Sequence, residues 1–164
     1  MITHGAADIA IGVFEALPAR LHRRRLYDES LVCVVRRGHP LLSSGLSLEQ
    51  YVAAEHVQVV VTGLGDSALD RALAQQGLSR RISVRLPHFL VAPQLVVDSD
   101  RLLSLPARLA RQMTEELPVE LLPLPLDVGV FEVSMIWHER RHADPVQIWL
   151  RQQLLEIGQR LAQV

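Results

Sequence analysis

The chain has 164 residues, enough for one domain or for two small lobes sharing a cleft. Its 49% hydrophobic and 21% charged residues match a soluble globular protein, and no apolar run reaches the ~18 residues that span a bilayer. The net charge of −1, with all 17 basic residues arginine, lacks the excess expected of a free-standing nucleic-acid binder.

Met1-Ile2-Thr3-His4-Gly5 has no basic stretch followed by an apolar one, which predicts no signal peptide and a cytoplasmic protein. Asp8-Ile9-Ala10-Ile11-Gly12 is a short apolar run stopped by glycine and predicts the end of a buried parallel strand. Residues 12–36 are less regular, and Arg23-Arg24-Arg25 beside His22 reads there as a solvated turn or hinge edge rather than as the alternative, a phosphate-binding patch. Residues 31–35 predict a buried strand in which Cys33, the single cysteine, is an inert thiol. Ser47 and Gln50 form a capping box, with Leu46 and Tyr51 as its hydrophobic staple, for a helix ending near Glu55. Val57-Gln58-Val59-Val60-Val61 is rich in β-branched residues and predicts a strand. Thr62-Gly63-Leu64-Gly65 is a loop. Asp66 or Ser67 caps the helix after it, whose face is Leu69, Ala72, Leu73 and Gln76 and which Gly77 ends.

Ile82, Val84 and Leu86 alternate with Ser83 and Arg85, the pattern of a strand with one polar face. Pro87-His88-Phe89 turns the chain into a helix reaching Val97, which Pro93 kinks or shortens. Residues 101–105 predict a strand, Pro106 opens a helix using Leu109, Ala110 and Met113, and residues 119–122 predict another strand. A proline-rich crossing, Pro123-Leu124-Pro125-Leu126, leads to a last strand over residues 130–137. Asp144 as N-cap and Pro145 at the first helical position start a terminal helix. Val146, Leu150, Leu154, Ile157 and Leu161 recur on one face of it, which is expected to pack.

Strands alternating with helices predict an α/β fold with mostly parallel sheets. The irregular segments, residues 12–36 and 123–129, separate an inner lobe over residues 38–124 from an outer lobe made of residues 1–37 and 125–164. That is the layout of a hinged two-lobe binding protein.

Two places suit a small ligand. Thr62-Gly63-Leu64-Gly65 before a helix is either an anion-tolerant loop, since glycines let backbone N–H groups approach closely, or a plain tight turn. It lacks the third glycine of a dinucleotide fingerprint. His88 after a strand can bond a carboxylate or phenol and Phe89 can wall an aromatic ring; the alternative is a capping histidine and a core phenylalanine. His138 and His142 are four apart but precede the Asp144 cap, so no zinc site or other cofactor is expected. No nucleophile elbow and no apolar carboxylate pair is present, and no enzymatic activity is expected.

The block Trp137-His138-Glu139-Arg140-Arg141-His142-Ala143-Asp144-Pro145-Val146-Gln147-Ile148-Trp149-Leu150-Arg151 resembles the end of the effector-binding domain of LysR-type transcriptional regulators. The resemblance is closest to the branch sensing aromatic acids and flavonoids, the salicylate-type and nodulation regulators. It runs in order through Asp8-Ile9-Ala10-Ile11-Gly12, residues 26–41, Asp70-Arg71-Ala72-Leu73, Leu86-Pro87-His88-Phe89 and Leu105-Pro106-Ala107-Arg108-Leu109-Ala110. It implies a periplasmic-binding-protein-like fold holding a small organic or aromatic acid between two lobes. It also implies a homo-oligomer whose DNA contacts come from a separate N-terminal winged helix-turn-helix. The alternative is a stand-alone small-molecule-binding protein or an enzyme of similar fold.

By the same resemblance the effector faces Gly12 and Val13, Thr62, Gly63, Leu64 and Gly65, Pro87, His88 and Phe89, and Val130 and Phe131. Leu64 stands where salicylate-type sensors resemble Thr-Gly-His-Gly, which implies a more apolar or different effector. Asp8-Ile9-Ala10-Ile11-Gly12 resembles the third strand of the outer lobe, so that lobe is expected to be truncated. Ile9, Ile11, Val133, Met135 and the face of the terminal helix would then lack apolar neighbours. They are expected to be covered by a second copy or to be poorly ordered.

Overall fold

The alternation of apolar side chains along residues 31–36 explains the larger part of the molecule, because it feeds two opposite faces of one sheet. In the computed structural model, which describes residues 2, 7–14, 16–60 and 67–162, the chain forms two units. One unit is Ser30–Gly129 and the other combines Met1–Glu29 with Val130–Val164.

The smaller unit begins with β1 (Ile9–Gly12) and β2 (Leu21–Glu29). The larger then runs β3 (Leu31–Arg36), α1 (Leu41–Ser44), α2 (Leu48–Ala53), β4 (Glu55–Val59), α3 (Ala68–Gln75), β5 (Arg81–Leu86), α4 (Gln94–Val97), β6 (Leu102–Pro106), α5 (Ala107–Glu116) and β7 (Val119–Leu122). The smaller unit resumes with β8 (Phe131–His138), a 3₁₀ turn (Glu139–Arg141) and α6 (Pro145–Ala162).

In the larger unit the strand order is β5-β4-β6-β3-β7. Val34, Val57, Leu103 and Leu105 pack on one face with Ala92 and Val96 around α4 and Ala110 and Met113 of α5. Cys33, Val35 and Leu102 pack on the other with Tyr51 of α2 and Leu69 and Leu73 of α3. Both faces are therefore closed by helices. The capping box forms as read: Ser47 accepts from the Gln50 backbone N–H, and the Gln50 side chain accepts from the Ser47 N–H. At the end of α3, Gly77 has φ +70° while Gly77 N–H bonds Ala74 C=O and Leu78 N–H bonds Leu73 C=O, the paired closure that only a left-handed residue permits.

The smaller unit is a three-stranded sheet, β1-β8-β2, with α6 packed against β2. Gly158 allows the close approach; a Cβ there would lie 3.1 Å from both Cβ and the carbonyl oxygen of Leu26.

Several expectations need correction. The sheets are not mostly parallel: the five-stranded one is mixed, with β4 parallel to β5 and β6 but β3 antiparallel to β6 and β7, and the three-stranded one is antiparallel throughout. Arg23-Arg24-Arg25 is no turn. It lies within nine-residue β2, whose alternation is masked because arginines occupy an exposed edge, where charge blocks further pairing. The helix expected from His88 to Val97 contracts to α4, because Pro93 has no N–H for an interior helical bond and stands at its start. The terminal helix buries Gln147, Arg151 and Gly158 instead of its apolar stripe. Val146, Leu150, Ile157 and Leu161 are exposed, as is Ile11, whereas Met135 is buried. Finally, β3 belongs to the sheet of the larger unit, so the chain crosses between units at Glu29–Ser30 and Gly129–Val130 rather than near residues 37 and 125.

Candidate functional site

Parallel β4 and β5 lie side by side with Val59 opposite Leu86, so both strands end at the same edge of the sheet. The Val60 N–H donates to the Leu86 C=O at 2.9 Å. The segment after β4 and the Pro87-His88-Phe89 turn after β5 therefore depart from adjacent points. Such carboxyl ends are where open α/β sheets receive ligands. Thr62, Gly63, Leu64 and Gly65 lie outside the described residues. Among the described flanks, Val60 is exposed and Ser67 begins α3.

Pro87 and His88 are exposed at this edge. Phe89 instead turns inward and packs on the core cluster of Val34, Leu103 and Leu105, the core alternative for that residue. Leu90, 76% exposed, and Val91 supply apolar surface beside His88 in its place. Because α4 starts only after Pro93, His88 is not at a helix N-terminus. Of the two helix starts expected here, only that of α3 forms.

That start is anchored by a polar network. Ser67 accepts from the Asp70 N–H at 3.1 Å, and its hydroxyl donates to the Asp70 carboxylate at 2.6 Å. The same carboxylate accepts from Gln58 of β4 at 2.8 Å and from the Arg80 guanidinium at 2.7 and 3.2 Å. Arg80 is almost wholly buried and also reaches the Tyr51 hydroxyl at 3.4 Å, which is 2.8 Å from the Ser104 hydroxyl. Burial opposes the charge on Asp70, but hydrogen bonds from Arg80, Ser67 and Gln58 outweigh it and hold the carboxyl below its usual range. Burial pushes the Tyr51 hydroxyl up to about 12, so it stays a neutral donor. Cys33 is likewise pushed up to about 12 by burial, an inert thiol as expected.

The Asp70 carboxylate already occupies the positive end of α3. An acid bound nearby must therefore draw on other donors, and His88 is the exposed one in the turn after β5. The network itself escaped the sequence reading, which took Tyr51 as a helix staple, Gln58 as a strand residue and Asp70 as part of the family resemblance. Its one legible signal is the Ser67-to-Asp70 spacing of a helix start; Arg80 reads as an ordinary charged residue between two elements.

In the smaller unit Gly12 closes β1 opposite Ser134, and Phe131 opens β8 opposite Glu29. Antiparallel register brings Gly12 and Val13 toward the end of β8 from which Val130 and Phe131 enter. Val13 and Val130 are exposed, and Phe131 is half-buried. A Cβ on Gly12 would meet the Phe14 ring at 3.3 Å. Among the described residues no group of three or more His, Cys, Asp or Glu is arranged to hold a metal, and no helix is long and apolar enough to cross a membrane.

The LysR substrate binding domain model matches residues 1–159. The chain is 31% identical over 156 residues to the HTH-type transcriptional activator NahR of Pseudomonas putida, which covers 95% of this chain and 52% of NahR. The chain thus spans about half the length of such curated relatives. Among solved structures it resembles a probable transcriptional regulator from Pseudomonas aeruginosa, with 31% identity and TM-score 0.84 over 93% of this chain and 52% of that one. The BenM effector binding domain with its effector benzoate shares the fold at 16% identity, with TM-score 0.71 over 98% of this chain and 71% of that one.

Proposed function

The chain belongs to the LysR substrate-binding domain family, and on that premise we propose that it is the effector-sensing part of a bacterial transcription regulator. Its effector is a small organic or aromatic acid, the class to which the benzoate held by the BenM domain belongs. The role is to bind and report, without catalysis. In the full-length regulator DNA contact comes from an N-terminal winged helix-turn-helix outside these residues, the working form is a cytoplasmic homo-oligomer, and binding alters its assembly.

The observation that carries this reading is the adjacency of the two strand ends, sealed by the Val60–Leu86 hydrogen bond. It brings the end of β4 at Val60 beside the end of β5, which leads into an exposed imidazole and the exposed side chains of Leu90 and Val91. A small aromatic acid needs that combination: donors for its carboxylate and apolar contact for its ring. Gly12, Val13, Val130 and Phe131 form the corresponding candidate set in the smaller unit.

Calorimetry with benzoate as probe tests this. His88→Ala should weaken binding about ten-fold, the size of one charge-assisted hydrogen bond, while leaving the thermal midpoint unchanged because His88 is exposed. Equal affinity in both proteins overturns the assignment of His88.

A further inference from the structure

The connection between β8 and α6 is held by imidazoles that act as hydrogen-bond acceptors. The Trp137 indole N–H can only donate, and it donates to Nδ1 of His142 at 3.3 Å. Nδ1 of His138 accepts from the Arg140 backbone N–H at 3.2 Å. Both bonds require an unprotonated ring nitrogen. His142 also stacks on His22 of β2 with ring centroids 4.3 Å apart, and His22 lies 5.5 Å from Trp137 in a near-parallel stack.

The charges around this group come from every side. From α6, the Arg151 guanidinium lies 4.6 Å over the Trp137 ring and donates to the carbonyls of Arg141 and His142 at 3.2 and 2.7 Å. From the 3₁₀ turn come Glu139, Arg140 and Arg141. Arg141 pairs with Asp8 at 3.0 Å, in the segment before β1, and with Asp144, the cap of α6, at 3.5 Å. From β2, Arg24 shares a face with His22, two residues away. β1 contributes apolar Ile9 opposite Trp137.

We propose that His22, His138 and His142 form an acid-sensitive latch that fastens the start of α6 to the sheet of the smaller unit. Neutral imidazoles hold it closed. A proton added to Nδ1 of His142 turns an acceptor into a donor facing the Trp137 N–H, and a proton on His138 does the same toward the Arg140 N–H. Charging His22 and His142 together sets two cations in one stack beside the fixed cation of Arg151. Protonating either acceptor ring therefore opens the latch.

Hydrogen exchange followed by NMR on the Trp149→Phe chain, in which Trp137 is the sole remaining tryptophan, reads the latch directly. Between about pH 8 and pH 5, protection of the Trp137 indole and Arg140 amide should fall about ten-fold, one hydrogen bond's worth. The mid-strand amide of Met135 should keep its protection. A His138→Asn, His142→Asn double variant supplies amide acceptors that cannot titrate, and its protection should stay flat. Unchanged protection in the parent overturns the proposal. So does an equal fall in the double variant, or a fall shared by Met135, which is unfolding of the whole unit.

Discussion

The two units solve the problem of burial differently. In Ser30–Gly129 helices cover both faces of a five-stranded sheet, and the core closes on itself. Among the described residues Met135 is the one large, fully buried side chain that lies outside this unit. The smaller unit sets one helix against a three-stranded sheet, leaving Val146 69% and Trp149 63% exposed along α6. What α6 does bury is polar or small: Gln147, Arg151 and Gly158. One unit is held by apolar packing around a partly buried ion pair, the other by cation–π, ring and capping contacts near its surface. The same kind of change should therefore cost very different amounts in the two.

The largest effect is expected at Arg80. Arg80→Met takes both guanidinium bonds from the Asp70 carboxylate, which is partly exposed and keeps Ser67 and Gln58, so the loss should be about 3 kcal/mol, the low end for breaking a buried pair. Hydrogen exchange of the Val34 and Leu103 amides would read the loss. If that variant keeps its full stability, the ion pair is not what braces the larger unit.

Acid should separate the units next. Burial holds His56 down to about 4, with its Nε2 2.7 Å from the Tyr51 carbonyl and its ring edge-on to Tyr51. The unfolded chain takes up that proton near the ordinary value of 6.5. Acid therefore favours the unfolded state: stability is full above about pH 6.5 and falls until about pH 4, by ~3 kcal/mol in all. His56→Gln should flatten this slope in urea titrations monitored through the larger unit; a slope retained in that variant assigns the loss to another group.

In the smaller unit, Gly158→Ala gains helix propensity of about 1 kcal/mol but presses a methyl against the Leu26 backbone, where overpacking costs ~1–3 kcal/mol. A net loss of about 1 kcal/mol is expected by tryptophan-detected unfolding. The smallest effect belongs to Arg141→Met. Its pairs with Asp8 and Asp144 are half-exposed, and removing it should cost less than ~1 kcal/mol, against the several lost at Arg80.

Much of the larger unit was legible because its signals are local. The Ser47–Gln50 box, the Ser67 cap, the Gly77 stop and the alternation of Ile82, Val84 and Leu86 each depend on a few neighbouring residues. Their pairing was not: nothing between residues 31 and 36 tells that β3 runs antiparallel to β6, because buried strands of either direction read as continuous apolar runs. β2 was lost because arginine stems take the places where β-branched residues would announce a strand. For α6, helical spacing finds the apolar stripe but not what lies against it; the exposure of Val146, Leu150, Ile157 and Leu161 agrees with the expectation that this face lacks apolar neighbours. At the candidate site, position along the chain pointed to His88, while residues 62–65 lie outside the described residues. The Asp70–Arg80 brace joins residues ten apart across a turn and left no periodic trace.

Mapping benzoate onto the isotopically labelled chain by NMR tests the central claim most directly. Saturable shifts at the amides of Val60, Ser67, Leu86 and His88 are predicted, at the carboxyl ends of β4 and β5. Saturable shifts confined to Glu55 and Arg81, the ion-paired start of those strands, would place binding at the opposite edge and contradict the account.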